Sequence, residues 1–138
     1  MTENLTGKVQ TVTGLVEPIS LGPTTTHEHL LIDFSCMFNE PAEASERYRA
    51  HEPVTMSNLG WVSYQSFANL DNLMLVNEDD ATVEAEMYKR AGGGTIVDAT
   101  TIGIGRDPEA LARIARRSRL NIIMGAGYYV DSVHPEGM

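Results

Sequence analysis

His27-Glu28-His29 is the run whose residue types and spacing could do chemistry. On an extended chain alternate side chains share a face, so His27 and His29 point one way and Glu28 the other. Two imidazoles placed like this can share a divalent cation at Zn–N distances of about 2.0–2.1 Å, each through a neutral nitrogen whose tautomer its neighbours fix. The same spacing also suits two surface histidines or two hydrogen-bonded core histidines. Asp98 lies in the apolar run Thr95-Ile-Val-Asp-Ala-Thr100, where an ionised carboxylate is costly unless it is paired or hydrogen-bonded. It either supports a site from behind the ligands or caps the end of a strand. Tyr128 and Tyr129 follow a third apolar run and place at least one phenol at the mouth of a site built there, with packing between sheet and helix as the other use for one ring.

Other candidates carry less. Gly103-x-Gly105 and Gly125-x-Gly127 each lack the third glycine of a dinucleotide fingerprint and are expected to serve as turns. A single cysteine, Cys36, cannot form an internal disulfide, and core filler is its expected role. His51 and His134 sit in proline-bearing loop text and are expected to face solvent.

The elements that must position these groups alternate. Gly7–Gly14 and Gly14–Pro18, rich in Val and Thr, predict a short N-terminal β-hairpin. Thr24 to Ile32, opening on three threonines, predicts the first core strand. Residues 33–77 lose all period and read as an irregular insertion with short helices, in which Trp61, Tyr64 and Phe67 at three-residue spacing predict one buried helical face. From Glu78 a helix is predicted with a Val83, Met87, Ala91 apolar stripe, acidic at its start, basic at its end and stopped by Gly92-Gly93-Gly94. Thr95–Thr100 is the second core strand. Asp107 then caps a helix with Pro108 at its first position and Leu111, Ile114 and Ala115 inward. Its arginines are expected on the solvated side, Arg113 four residues after Glu109. Asn121–Gly125 is the third strand. Strand, helix, strand, helix, strand with short links indicates βαβ units and a parallel sheet, so the fold class is α/β.

Composition excludes several partners. Lys and Arg total 10 against 19 Asp and Glu, and the resulting charge of −9 would repel nucleic acid. Mean hydropathy is −0.19, and no apolar run approaches the roughly 18 residues of a membrane span. The polar N-terminus does not read as a secretory signal, so a cytoplasmic location is expected.

Gly14-Leu-Val-Glu-Pro18 through Leu21-Gly22 to Thr26-His-Glu-His-Leu30, then Gly92-Gly-Gly-Thr-Ile-Val-Asp98, Gly105-Arg-Asp107 and Gly125-Ala-Gly-Tyr-Tyr-Val-Asp131, resemble the phosphotriesterase family of the amidohydrolase superfamily, and within it the phosphotriesterase-related group. The resemblance runs from about Lys8 to the last residue. It implies a (β/α)8 TIM barrel, of which residues 1–138 would be an incomplete N-terminal part carrying the hairpin and the first three parallel core strands. Such a barrel takes about 250 residues.

The family holds two divalent metal ions, usually zinc, at the C-terminal ends of the strands. His27 and His29 match the first-strand ligand pair, and Tyr129, with Tyr128 beside it, matches an aromatic position lining the substrate pocket. The other ligands come from later strands, so no catalytic residue is assigned in this chain. The implied activity is attack by a metal-bound hydroxide on a small-molecule substrate. In the intact parent that substrate would be the amide of a small N-acylated amino acid such as N-acetyltaurine, with phosphotriester or lactone hydrolysis as the alternative. The isolated chain is expected to be an inactive fragment. A different class remains open, a non-catalytic truncated module that binds a partner, and the oligomeric state is left open too.

Overall fold

A computed structural model describes residues 5–134 and 137. The chain opens with an antiparallel hairpin of β1 (Val9–Thr11) and β2 (Gly14–Val16). Its turn is tied by the Thr11 hydroxyl, which donates to the Gly14 carbonyl at 2.7 Å. The hairpin hooks onto the main sheet where the Val12 amide donates to the Ile122 carbonyl at 2.9 Å.

The main sheet has three parallel strands in the order β3 (Thr24–Glu28), β6 (Thr95–Asp98), β7 (Asn121–Met124). Helix α2 (Glu78–Arg90) lies between β3 and β6 in the chain, and α3 (Pro108–Ser118) between β6 and β7. Two consecutive βαβ units are therefore present. Central β6 is buried at Thr95, Ile96 and Asp98, whereas edge strand β3 is largely exposed. Leu111, Ile114, Ala115, Ile96 and Ile122 form the middle of the core between helices and sheet. The first core strand is shorter than the sequence predicts: its pairing with β6 shifts register between Thr25 and Glu28, and it ends at Glu28.

Helix α2 buries a different face from the predicted stripe. Val83 and Met87 are 51% and 49% exposed, while Ala81, Thr82 and Ala85 are buried. Ala81 and Ala85 join Ile96, Leu111 and Ile114 in the core cluster, and Tyr88 reaches the sheet, donating its hydroxyl proton to the Pro23 carbonyl at 2.9 Å. Asn77 caps α2 by accepting from the Asp79 amide at 3.0 Å. Asp107 caps α3 by accepting from the Ala110 amide at 2.9 Å, with Pro108 beginning the helix. The arginines of α3 do more than face solvent. Arg113 is bidentate to Glu78, with its Nη2 at 2.8 Å, and Arg117 reaches Asp79 at 2.8 Å, so the exposed edges of the two helices are clamped. Arg113 makes its ion pair with Glu78, and Glu109 adds a smaller Coulombic attraction to the same guanidinium.

The irregular segment after β3 is gripped at its neck by β4 (Ile32–Asp33) pairing antiparallel with β5 (Met74–Leu75). Inside it, buried Asn69 donates from Nδ2 to the carbonyls of Arg49 (2.7 Å) and Glu52 (2.9 Å) and accepts from the Asn72 amide (2.9 Å). Its one α-helix, α1 (Leu59–Tyr64), ends too early to give the predicted aromatic face. Phe67 lies beyond it, Tyr64 is 90% exposed, and Trp61 sits under the Arg49 guanidinium at 5.3 Å. Cys36, expected in the core, is exposed on the short 3-10 turn Ser35–Met37, because that turn lies on the surface of the insertion.

Candidate functional site

Parallel strands bring their C-terminal ends to one edge, and the sequence places its chemistry there. His27 is the penultimate residue of β3 and His29 lies just past its end. Despite the register shift their rings meet edge to face, with centroids 5.5 Å apart. Both line a cleft of about 520 Å3 whose other walls are Ile32, Phe34, Ala99, Ile104 and Tyr129. Glu28 lies outside this cleft and accepts a hydrogen bond from the Thr25 hydroxyl, across the register shift between those two residues.

The neighbouring strand ends fix the floor of this cleft. Asp98 is fully buried and spends both oxygens on backbone: Oδ2 accepts from the Leu30 amide at 2.8 Å and Oδ1 from the Thr100 amide at 2.9 Å. It thereby ties the loop after β3 to the loop after β6. The Ala99 amide adds a bond to the Glu28 carbonyl at 2.8 Å. Gly125 closes the β7 side, its amide 2.7 Å from the Asp98 carbonyl, at a distance where a side chain would press on the β6 backbone. At the end of β4, Asp33 accepts from the Ser35 amide at 3.0 Å, and the Ser35 hydroxyl and amide together hold its carboxyl below the usual carboxylate range.

Of the two candidate tyrosines, Tyr129 is in the cleft wall, its ring 5.4 Å from that of Phe34. Tyr128 is outside the wall and packs edge-on to His134 at 5.7 Å. That contact leaves His134 half-buried, contrary to the expected exposure, while His51 is exposed as expected. No local pattern marks Phe34 or Ile104, which reach the cleft from an insertion and a turn without periodicity. Nor does one mark Thr100, whose Oγ1 lies 2.9 Å from His29 Nδ1.

A larger groove of about 590 Å3 runs between β3 and α2 and includes Thr25, Leu75, Ala85 and Tyr88. It has one histidine, His29, at its end, and the paired imidazoles favour the smaller cleft as the chemical site. Among the described residues no three His, Cys, Asp or Glu side chains come together as a metal-binding group. The imidazole pair therefore fits a metal ion as two donors of a larger set, since a catalytic zinc site takes three protein ligands and a water.

A parallel βαβαβ unit with paired histidines at its C-terminal edge is the opening of a phosphotriesterase-type TIM barrel. The chain belongs to the phosphotriesterase family, whose model matches residues 7–138. It is 47% identical over 133 residues to the N-acetyltaurine hydrolase of Salmo salar and 46% identical over 132 residues to that of Homo sapiens. These alignments cover 96% and 95% of this chain but 38% of either relative. A solved structure, the resiniferatoxin-binding protein from Rhodobacter sphaeroides, superposes with a TM-score of 0.91 at 39% identity, over 94% of this chain and 36% of that one. The organophosphorus hydrolase from Deinococcus radiodurans, at 24% identity and a TM-score of 0.58 over 89% of this chain and 29% of that one, shares the fold.

Proposed function

We propose that this chain forms the first-strand part of the active site of a metal-dependent hydrolase that cleaves the amide bond of small N-acylated amino acids such as N-acetyltaurine. The observation that carries the reading is the meeting of the His27 and His29 rings in a cleft at the strand ends, in a chain 46–47% identical to N-acetyltaurine hydrolases. The two imidazoles would hold a divalent cation, with zinc the first candidate. Such a cation supplies a Lewis acid that polarises the scissile carbonyl and lowers the pKa of water. Ile32, Phe34, Ile104 and Tyr129 keep the rest of the cleft apolar, which limits water around the scissile bond and suits a short acyl group. Asp98 acts at one remove, holding the loop that carries His29 through the Leu30 amide.

Two imidazoles leave a cation under-coordinated, so the 138-residue chain alone should turn over nothing. A chimera tests the reading, with this chain replacing the matching segment of the Homo sapiens N-acetyltaurine hydrolase. Taurine release from N-acetyltaurine is expected, and is expected to vanish in the His27→Ala, His29→Ala double variant. A folded chimera that hydrolyses lactones or phosphotriesters but not N-acetyltaurine would reject the amide substrate. The Rhodobacter sphaeroides relative favours a second reading, a ligand-binding protein without turnover. A folded, metal-loaded chimera inert towards all three substrate classes would support it.

A further inference from the structure

We infer that Thr100 is a positioning residue that holds His29 as its Nδ1–H tautomer and so leaves Nε2 bare. The Thr100 hydroxyl makes two contacts, at 2.9 Å to His29 Nδ1 and at 3.1 Å to the Leu31 carbonyl oxygen. A hydroxyl has one proton, and a carbonyl oxygen only accepts, so that proton goes to Leu31. The contact to the ring is then a hydrogen bond only if Nδ1 carries a proton and donates it to Thr100 Oγ1.

Thr100 is 1% exposed, which makes an unpaired group there costly, and its amide is anchored on the buried Asp98 carboxylate at 2.9 Å. Asp98 also accepts from the Leu30 amide, one residue beyond His29, so both the ring and its hydroxyl partner are referred to the same carboxylate. A proton fixed on Nδ1 puts the free lone pair on Nε2, the nitrogen that can accept from a ligand or bind a cation. No local spacing links the two residues, since Thr100 is 71 positions from His29.

The hydrogen-bond argument stands without the hydrolase reading; only the use of Nε2 as a metal donor rests on it. Its test is accordingly metal-free. Long-range 1H–15N correlation spectra of the 138-residue chain, recorded at about pH 8 where an ordinary imidazole is neutral, report which ring nitrogen is protonated. The His29 signals are identified by their loss in His29→Gln. Wild type and Thr100→Ser, which keeps the hydroxyl, are expected to show a protonated Nδ1 and a bare Nε2. Thr100→Val, of the same shape without the hydroxyl, is expected to lose that pattern and move to the Nε2–H form. A bare Nδ1 in wild type, or an unchanged pattern in Thr100→Val, overturns the inference. Should Thr100→Val fail to fold, wild type and Thr100→Ser decide it.

Discussion

Asp98 organises the candidate site through backbone alone. Both of its oxygens are committed, to the Leu30 and Thr100 amides, in a fully buried position. Asp98→Ala orphans two donors at roughly 1–3 kcal/mol each, so a loss of about 2–6 kcal/mol is expected in urea unfolding. Asp98→Asn retains one accepting oxygen while its amide nitrogen faces a donor, and should fall between the two. Equal midpoints for Asp98→Ala and wild type would remove the carboxylate from this role. The sequence marked Asp98 as a carboxylate in need of partners but left open whether it supports a site or caps a strand. The structure joins the two, since its backbone partners at the strand ends include the amide next to His29.

Helices and strands here depend on close approach. Gly94, ahead of β6, lies against the turn before β3, where an added Cβ would sit 2.1 Å from the Leu21 carbonyl oxygen and 3.0 Å from the Gly22 Cα. Backbone cannot swing away, so Gly94→Ala should destabilise by about 1–3 kcal/mol. Thermal unfolding checks this, with Gly92→Ala, which meets nothing within 4 Å but has a φ of +99°, as the comparison for backbone strain alone. The sequence explained Gly94 as a helix stop; its packing role needed the fold.

The clamp between α2 and α3 gives a pH dependence. The hydrogen bonds from Arg113 hold the Glu78 carboxyl below its ordinary value. A folded-state pKa below the unfolded one means the contribution is complete above the unfolded value and disappears as pH falls through the folded one. Urea midpoints of wild type and Glu78→Gln should therefore differ at about pH 7 and draw together as pH falls below the ordinary glutamate value, with a smaller gap at high salt because the pair is near the surface. A gap that persists in acid would assign the difference to something other than charge.

At the scale of the molecule the sheet is open. Among the described residues β3 pairs with β6 alone and is largely exposed, and Leu75 and Val76 beside it are 60% and 67% exposed. An unpaired strand edge beside apolar surface invites pairing with another chain. Sedimentation of the isolated 138-residue chain should show association that grows with concentration; a monomer that unfolds in one cooperative step would refute this. Zinc content after dialysis should be well below one ion per chain and fall further in the His27→Ala, His29→Ala variant, because two donors do not complete a site. One retained ion per wild-type chain would mean that copies supply each other's ligands.

Local chemistry determined the cap at Asp107 with Pro108 as the first helical residue, the buried run of β6, the βαβ order and the histidine pair, because each rests on spacing of one or two turns or on strand alternation. Those signals also carried the family resemblance. Tertiary structure alone decided which face α2 buries, why Cys36 and Tyr64 lie outside, and which residues wall the cleft. Val83 and Met87 have the right period for a core stripe, yet Ala81 and Ala85 are the ones buried, in the core cluster with Ile96, Leu111 and Ile114. Thr100 meets His29 across 71 residues and Phe34 reaches the cleft from an unpatterned insertion, distances over which no local rule acts. Their place is set by where three parallel strands end together.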